Sequence, residues 1–586
     1  MCYTQLKWKK GNLQGLVFIL VRADAKTEEE LELRKTRRYQ ILVLSNTTLG
    51  VFMAFLNSSI VIIALPAIFR GISLDPLAPS NVSYLLWMLL GFSVASAVLV
   101  VSLGRLGDIV GRVKLFTLGF AIFTVGSIAL SLSPGKGSSA ALYLVVMRIV
   151  QGIGGAFLFS NANAIIADTF PPDHRGTALG INQVAGLSGA FIGLIAGGVL
   201  ADINWRAVFI VSVPFGIFGT VWAFYKLKDV APRRKVKIDY LGSLLFAASL
   251  ILILIAISYG IQPTKGHTMS WGTPTILGEL IGGLALLVVF FIVENKVEEP
   301  MLKVNLFRTR AFAAGNLANL LAAIGRGGLQ FMLILWLQGI WLPLHGYTFS
   351  QTPLWAGIYL LPLTVGFLIS GPVSGYLSDR FGARAFATVG MVIAAGSFLA
   401  LILLPVNFSY AVFAPILLVN GIGFGLFAAP NSSAVMNSVP ANSRGTASGM
   451  LATLTNTGQV LSIGIFFSLM IAGLSSSLPS ELYKGLTASG VSATSASYIA
   501  HLPAVASLFG AFLGFNPIKT LLGPSLSTLP SSVVHKITSN SYFPHLISSA
   551  FKSGLGIAFT VALILCLVAA AASFFRGKKF VHEDAS

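Results

Sequence analysis

The sequence predicts an all-α integral membrane protein with fourteen transmembrane helices, and three observations support that fold class. Of the 586 residues, 55% are hydrophobic and only 10% are charged, whereas roughly a quarter of the residues of a soluble protein are charged. Apolar runs of roughly 20 residues, enough to cross about 30 Å of hydrocarbon as a helix, recur along the chain. Lys and Arg concentrate in alternate connections between these runs. Because a helix pairs its backbone polar groups internally, each run is expected to be helical.

The apolar runs follow one another in order, and most are joined by short connections. They cover residues 40–69, 83–103, 113–133, 140–167, 176–200, 205–226, 239–260, 273–293, 311–340, 353–377, 386–405, 409–437, 446–474 and 550–575. The first and the ninth runs are longer than a bilayer requires, so these two helices are expected to tilt or to protrude.

The stretch 475–549 is predicted to be a long external loop with packed or membrane-touching helical pieces. It is rich in Ser, Thr and Leu, and its apolar segment AVASLFGAFLGF is shorter than a membrane span requires. An additional span here would also move Arg576, Lys578 and Lys579 away from the side that holds the other basic connections.

The distribution of basic residues predicts the orientation in the membrane. The two termini and the connections on the amino-terminal side hold 29 of the 39 Lys and Arg residues, against 7 in the opposite connections. By the positive-inside rule, residues 1–39 and the tail 576–586 are expected in the cytoplasm, and the plasma membrane is the expected location. Orientation and contact with the lipid bilayer explain the net charge of +19, so no nucleic-acid partner is expected.

A charged, glycine-rich motif occurs twice in the chain. It reads GRLGDIVGRVK from residue 104 and GYLSDRFGAR from residue 375, and a second pair, HRGTALG at 174 and SRGTASG at 443, repeats at a similar offset. Two copies of one helical unit are a usual design of secondary transporters. The charges can bond across helix ends, so the motif is predicted to act as a gate that stabilises one conformation; an ordinary charged loop is the alternative. The motif residues are Gly104, Arg105, Gly107, Asp108, Gly111, Arg112, Gly375, Asp379, Arg380, Gly382 and Arg384.

These residues resemble a known family signature. The form G-x-x-x-D-x-x-G-R, found between helices two and three of the major facilitator superfamily, is matched by Gly104, Asp108, Gly111 and Arg112. The chain is most similar to the fourteen-helix drug:proton antiporter branch, over nearly all of residues 40–575. The resemblance implies a major facilitator fold with six-helix bundles at 40–226 and 311–575 and two inserted helices at 227–310. It also implies alternating access and a small-molecule substrate, with protons as candidate coupling ions. No cofactor is expected, and the protein is expected to be a monomer.

Two further motifs support the resemblance. In helix four, Arg148, Gln151 and Gly152 match R-x-x-Q-G, which the family associates with proton coupling. A deep arginine costs about 2.5–3.5 kcal/mol to insert and needs an anionic, aromatic or aqueous partner; bracing helices through carbonyl groups is the alternative role. Helix five resembles the antiporter motif, except that Leu194 replaces the usual proline, and its small residues would also suit simple close packing. The glycines of that helix are Gly193, Gly197 and Gly198.

One departure from the family weakens the expectation of proton coupling. The family's first helix has the form L-D-x-T-I-V-N-V-A-L-P, but residues 56–66 read LNSSIVIIALP, with Asn57 in place of the acid. An amide does not bind and release a proton near neutral pH. No other carboxylate is predicted near the middle of the first bundle, since Asp168 falls at a helix end and Glu279 in the inserted eighth helix.

A second arginine, Arg326, lies midway along helix nine, the internal counterpart of helix one. With Arg148 it gives each bundle a buried cation without an evident acidic partner, so an anionic or acid-bearing substrate would supply the missing charge. Snorkelling, or pairing with carbonyl groups, is the alternative for Arg326. Amides in the spans are weaker candidates for substrate binding, because polar residues also hold helices together. These candidates are Asn57, Gln151, Asn161, Asn163, Asn316, Asn319 and Gln330.

Enzyme chemistry is not expected from this inventory. The seven His residues lie outside the predicted spans without metal-binding spacing, no Ser/His/acid set is evident, and Cys2 and Cys566 offer no thiolate metal site. PGKGSS at 134 lacks the phosphate-binding pattern of an ATP-driven pump. The sequence predicts a drug-efflux-like exporter of small, fairly apolar molecules. A facilitator or importer of an organic anion is the second interpretation, and a membrane receptor that transports nothing is the third.

Overall fold

The computed structural model describes residues 36–75, 77–78, 81–229, 239–264, 269–297, 300, 302–440 and 444–577. Within these residues, fourteen helices are long and apolar enough to cross a membrane, which confirms the predicted fold class. They are α1 Arg37–Gly71, α2 Val82–Val110, α3 Arg112–Ser131, α4 Gly137–Thr169, α5 Pro172–Ile203, α6 Ala207–Lys226, α7 Tyr240–Gly260, α8 Pro274–Glu294, α9 Arg310–Leu344, α10 Thr352–Tyr359 continued by Leu361–Phe381, α11 Ala383–Leu403, α12 Tyr410–Asn437, α13 Arg444–Ala488 and α14 Tyr542–Phe574.

The helices pack in the same pattern twice. In the first bundle α1 packs on α5, α2 on α4, and α3 on both α4 and α6; in the second, α9 packs on α13, α10 on α12, and α11 on both α12 and α14. The inserted helices α7 and α8 pack mainly on each other, and α7 also contacts α2 and α13. The architecture is therefore two six-helix bundles with an inserted helix pair, the major facilitator fold.

Two helices are longer than their apolar cores. Both α1 and α9 have 35 residues, in line with the expectation from their sequence. In α9 the last turns widen to a π-helix at Leu337–Trp341. Such wide turns are often found at functional positions, and here the Gln338 side chain donates to the Ile63 carbonyl oxygen of α1 across 3.2 Å.

Helix α13 extends beyond its predicted end at residue 474 and has 45 residues. Its added turns contain polar residues, but Leu478, Leu482 and Leu486, spaced four residues apart, are at most 1% exposed. This spacing places the three leucines on one helix face, so packing maintains the helix where mean hydropathy falls. Helix α14 likewise begins at Tyr542, earlier than the predicted 550, and both ends of the expected 475–549 loop are therefore helical.

Between α13 and α14 the chain forms short helices, as the sequence suggested. The helices Ala493–Ala500 and Ala504–Phe512 meet at 91°. Every residue of Ala504–Phe512 is buried, and this helix packs on the π-helical end of α9. The apolar stretch AVASLFGAFLGF thus forms a bent, packed piece rather than a straight span; counting the bent pair as one span would give up to 15 spans.

We call the side of the protein at which α1 begins the basic side, and the side at which α1 ends the opposite side. The two bundles contact each other at the opposite side. There Arg70 donates to the Phe349 carbonyl oxygen across 3.4 Å. In addition, Gly198 of α5 lies so close to α10 that an added Cβ would come within 2.6 Å of the Leu354 nitrogen. A glycine at this position allows the two bundles to meet.

Gly198→Val is therefore expected to push α5 and α10 apart. Spin labels on Ile203 and Thr348, with Cys2 and Cys566 replaced by serine and alanine, should report a longer distance than in the protein with Gly198. The matched control is Gly396→Val in α11, where an added Cβ has no neighbour within 4 Å. An unchanged distance in the Gly198 variant would contradict the assignment of this contact as the closure between bundles.

Candidate functional site

A network of side chains surrounds Arg148 in the middle of the first bundle. Its Nη1 donates to Asn57 Oδ1 of α1 at 2.5 Å and to Gln151 Oε1, one turn further along α4, at 2.6 Å. Its Nε donates to the Met88 carbonyl oxygen of α2 at 3.3 Å. The Phe92 ring lies 4.7 Å from the guanidinium carbon. With 1% of its surface exposed, Arg148 is enclosed by the bundle.

Two serines close this network into a ring. Gln151 Nε2 donates to Ser127 Oγ of α3 at 2.7 Å. Ser212 Oγ of α6 lies 3.1 Å from Ser127 Oγ and 3.5 Å from Asn57 Nδ2. Asn57, Ser127, Gln151 and Ser212 have no exposed surface. The ring therefore connects α1, α3, α4 and α6. Neither serine was a candidate from sequence.

All these partners are neutral. Among the described residues no carboxylate forms an ion pair with Arg148, and Asn57, at the position of the family's acid, accepts its shortest hydrogen bond. Hydrogen bonds to a charged group contribute more than neutral ones, so two amide oxygens, a carbonyl and an aromatic face together offset part of the burial cost. The geometry corresponds to the bracing role, which sequence reasoning had kept as the alternative.

Part of this ring recurs in the second bundle. Asn420 Nδ2 of α12 donates to Ser397 Oγ of α11 at 2.7 Å, and these residues follow Gln151 and Ser127 by 269 and 270 positions. Leu417, also 269 positions after Arg148, is fully buried. The amide–serine pair is thus repeated without the arginine, a relation that the known repeat offsets would have revealed from sequence.

Arg326 of α9 has a different environment. It is half-buried, and its guanidinium carbon lies 4.4 Å from the centre of the Phe367 ring of α10. Within the part of the chain that the structure describes, its guanidinium has no hydrogen bond or ion pair, and neither has the half-buried Gln330 amide four residues later. Residues four apart lie on the same helix face. These two side chains are therefore available donors, unlike Arg148.

The remaining amide candidates hold helices or bond to their own backbone. Asn163 accepts from Asn182 of α5 at 3.0 Å, and Asn319 donates to Thr455 Oγ1 of α13 at 2.7 Å. Asn161 and Asn316 each donate to the carbonyl four residues earlier, at 2.9 and 3.0 Å. Their bonds match the simpler expectation that polar residues hold helices together.

The first copy of the charged motif, at the basic side, forms its ion pairs with residues of the first bundle. Arg112 lies 2.7 Å from Asp108 of α2 and 2.6 Å from Asp168 at the end of α4. Gly111, between α2 and α3, has φ of +123°, a conformation that favours glycine. Asp229, after α6, accepts from the Val113 nitrogen at 2.7 Å. Asp168 and Asp229 were not among the predicted motif residues, because they are distant in sequence.

One residue of this motif reaches beyond the bundle. Arg105 Nη2 donates to the Pro300 carbonyl oxygen, in the connection between α8 and α9. The glycines Gly104 and Gly107 face α4, where an added Cβ would lie 3.7 Å from Ser160 at the first and against Asn161 at the second. The motif thus holds the helices of the first bundle together, and Arg105 contacts the connection between α8 and α9.

The second copy of the motif has a similar backbone conformation, but its arginines contact aromatic rings. Gly382 has φ of +89°, a positive value like that of Gly111. An added Cβ at Gly375 would lie 3.4 Å from the Ala429 Cβ, as an added Cβ at Gly104 would lie near Ser160. Arg384 lies over the Phe574 ring at 4.2 Å, and Arg380 lies 5.6 Å from the ring of Phe381. The side chain of Asp379 lies outside the described part, as does much of the HRGTALG and SRGTASG pair.

The helix-five glycines have two roles. Added Cβ atoms at Gly193 and Gly197 would lie 2.5 Å from the Leu56 carbonyl oxygen and 2.8 Å from the Ile60 carbonyl oxygen. These two glycines therefore let α5 approach α1, inside the bundle, whereas Gly198 faces α10 of the other bundle. Close packing thus accounts for all three residues.

Comparison with known proteins identifies the family. The model of the Major Facilitator Superfamily matches residues 47–463. The chain therefore belongs to this superfamily of membrane transporters and is a multi-pass integral membrane protein.

The similar curated proteins are transporters. The chain is 30% identical to the tetracenomycin C resistance and export protein of Streptomyces glaucescens, covering 92% of this chain and 91% of that protein. It is 28% identical to the riboflavin transporter RibZ of Clostridioides difficile, covering 78% and 93%. It is 26% identical to multidrug resistance protein 3 of Bacillus subtilis, covering 93% and 96%. The family and these relatives are transporters rather than enzymes.

Solved structures support the fold. A bacterial homologue of the human lysosomal transporter Spinster, crystallised in an inward-facing and occupied conformation, has a TM-score of 0.55 at 18% identity and covers 93% of this chain and 98% of its own. A peptide transporter POT in complex with sulfate has a TM-score of 0.52 at 17% identity, covering 82% and 94%. At these identities the likeness concerns the fold alone.

The Arg148 ring leads to a stability prediction. Asn57→Ala removes an acceptor from a buried charge, and is expected to destabilise the protein by about 1.5–3 kcal/mol. Asn46→Ala is the matched control, because Asn46 is equally buried in α1 and neither of its amide atoms has a partner within the described residues. Thermal unfolding in detergent should show a loss of Tm for the Asn57 variant and little change for the control. Equal losses of Tm in the two variants would show that the hydrogen bonds of the ring add no stability beyond the packing of the asparagine side chain.

Proposed function

We propose that this protein exports small, fairly apolar molecules from the cell by alternating access, with its two bundles rocking about a site between them. The observation that carries this proposal is the similarity, over 92% of the chain, to a resistance and export protein. The contact of the bundles at the opposite side, through Gly198 and Gln338, is the kind of interface that would open and close in such a cycle. The protein is proposed to act as a monomer.

The basic side is proposed to face the cytoplasm of a plasma-membrane protein. The positive-inside rule supports this orientation, since 29 of the 39 Lys and Arg residues belong to the termini and connections on that side. Both termini would then be cytoplasmic. In this orientation the bundles meet at the external side, and substrate would enter from the cytoplasm.

The substrate is proposed to carry an acidic or strongly hydrogen-bond-accepting group on an apolar body. Arg326 and Gln330 supply donors that bind nothing else in the described part of the chain, and Phe367 supplies an aromatic face. An anion beside a guanidinium in a site of low dielectric gains far more than in water. This observation also favours the second candidate function, a facilitator or importer of organic anions. The direction of flux distinguishes the two.

The Arg148 ring is not proposed as a proton site. Asn57, Gln151 and the serines of the ring do not titrate near neutral pH, so transport is expected to respond weakly to protons through this network. Coupling to protons, if it occurs, requires carboxyl groups elsewhere.

The experiment that tests the function is flux in proteoliposomes. Purified protein is reconstituted and loaded with matched acids, amides and amines, with and without a pH gradient, and flux is measured in both orientations. Net movement outward from the basic side supports export, and equal movement in both directions down a gradient supports a facilitator. Absence of flux for all three classes would favour a receptor that transports nothing.

Arg326 leads to a prediction about substrate charge. Arg326→Gln is expected to weaken binding of acids by about 1.5–3 kcal/mol, roughly ten- to hundredfold in Kd, and to leave the matched amides nearly unchanged. Arg326→Lys should retain part of the affinity, because lysine keeps the charge and loses the planar fork. Binding to detergent-purified protein measures both effects.

The control for this prediction is Arg206→Gln at the opposite side, where the arginine also lies over an aromatic ring, that of Trp205, at 4.3 Å. It should change the affinity for neither class. Equal losses for acids, amides and amines in the Arg326 variant would assign Arg326 to helix packing and remove the argument for acidic substrates.

A further inference from the structure

Two buried carboxyl groups lie next to each other where the inserted helices α7 and α8 reach the basic side. Asp239 precedes α7, and Glu294 is the last residue of α8. Their exposed fractions are 7% and 2%, so both are more than nine-tenths buried. Acidic groups are seldom buried to this degree without a partner for their charge.

Each carboxyl group uses one oxygen to hold the backbone. Asp239 Oδ1 accepts from the Gly242 nitrogen at 2.8 Å and caps α7. Glu294 Oε2 accepts from the Leu302 nitrogen at 2.9 Å, which fixes the chain leaving α8. The other oxygens, Asp239 Oδ2 and Glu294 Oε1, have no donor within the described residues.

These two unpartnered oxygens point to the same place. Both lie over Gly242, where an added Cβ would contact Asp239 Oδ2 and come within 2.6 Å of Glu294 Oε1. Because both oxygens lie against the same point over Gly242, the two carboxyl groups are direct neighbours. Ionised carboxylates only accept hydrogen bonds, so a bond between them requires that one carries a proton.

The surrounding charge agrees with one bound proton. Among the described residues, Arg105 of α2 is a charged neighbour of Glu294, and its Nη2 also donates to the Pro300 carbonyl oxygen. Counted over these three described groups, two ionised carboxylates and one arginine carry a net negative charge in a buried site, whereas a singly protonated pair with Arg105 is neutral. Two neighbouring carboxylates repel each other, so one member of the pair strongly favours keeping its proton.

We propose that Asp239 and Glu294 form a proton-binding site, which holds a single proton between Asp239 Oδ2 and Glu294 Oε1. The proton comes from water at the basic side and returns there, and no other bond forms or breaks. A proton is the ligand that fits, because two buried acceptor oxygens without donors in the described part of the chain lie against one point, and a proton held between them satisfies both. The site lies outside both six-helix bundles.

The neighbours of the pair connect it with the first bundle. Arg105 belongs to the charged motif of α2, and Ser102 of α2 lies 2.7 Å from Ser243 of α7. Movement of α2 relative to α7 would change the distance between Arg105 and the carboxyl groups. Approach of Arg105 would favour release of the proton, and withdrawal would favour its uptake. This coupling step rests on the alternating access proposed above; proton binding itself does not.

Infrared spectroscopy of the full-length purified protein tests proton binding without any substrate. At about pH 7, where exposed carboxyl groups are ionised, the protein is expected to show the carbonyl stretch of a buried carboxylic acid that shifts in D₂O. Asp239→Asn and Glu294→Gln should each remove this band. Both variants keep the backbone bonds, because asparagine also caps helices and glutamine retains an acceptor oxygen.

Glu279→Gln is the matched control. Glu279 lies in α8, and its Oε2 is also buried without a partner in the described part, so it is the competing source of such a band. The Glu279 variant should retain the band of the pair. A wild-type band that disappears only in Glu279→Gln, or absence of any such band, would overturn the proposal.

A second measurement remains informative if a variant folds poorly. In the wild type, raising the pH removes the shared proton and places two like charges side by side, so thermal stability should fall as the pH rises. Each conservative variant removes one of the two like charges, so the pH dependence should be weaker than in the wild type. Identical pH profiles for wild type and variants would contradict the proposal. Failure of the flux experiment would leave both results unaffected, so the two proposals are tested separately.

Discussion

The constraint on which the rest of this structure depends is the burial of Arg148 among neutral groups. A charge in the middle of a membrane protein needs partners, and here two amides, a carbonyl oxygen and an aromatic ring provide them. Because the amides are themselves held by serines of α3 and α6, the charge draws four helices together. Three hydrogen bonds of this arginine are therefore made within the first bundle.

The two bundles repeat the packing and differ in charge. Gly111 and Gly382 both take positive φ between successive helices, and the amide–serine pair of Gln151 and Ser127 recurs as Asn420 and Ser397. The arginine does not recur on α12, where Leu417 is buried. An arginine of the second bundle lies instead on α9, at Arg326. Repetition thus preserves the packing and leaves the placement of charge free to differ.

Hydropathy was sufficient to predict the fourteen helices, since the bilayer requires long apolar runs, and the paired motifs were sufficient to predict the repeat. The extension of α13 was not predicted, because Leu478, Leu482 and Leu486 stabilise a polar stretch through packing on other elements. Arg148, Gln151 and Asn57 were named separately, and only their distances join them into one ring with Ser127 and Ser212. Asp239 and Glu294 were missed for a similar reason: they are 55 residues apart and read as ordinary charges at helix ends.

Three of the ionisable sites have environments with different chemical capacities. Arg148 has its hydrogen bonds made inside one bundle, so its charge is neutralised as far as the fold allows before any substrate arrives. Arg326 lies over one aromatic ring and has no hydrogen bond or ion pair within the described residues, so its donors are the ones proposed to bind an acidic ligand. The carboxyl pair of Asp239 and Glu294 lies beside Arg105, which also bonds the connection between α8 and α9. A proton bound at this pair would therefore be sensitive to the position of α2. Coupling of that kind would operate through movement of packed helices rather than through a proton and a substrate competing for the same charged group. The presence of Asn57 in place of the family's acid therefore need not abolish proton coupling.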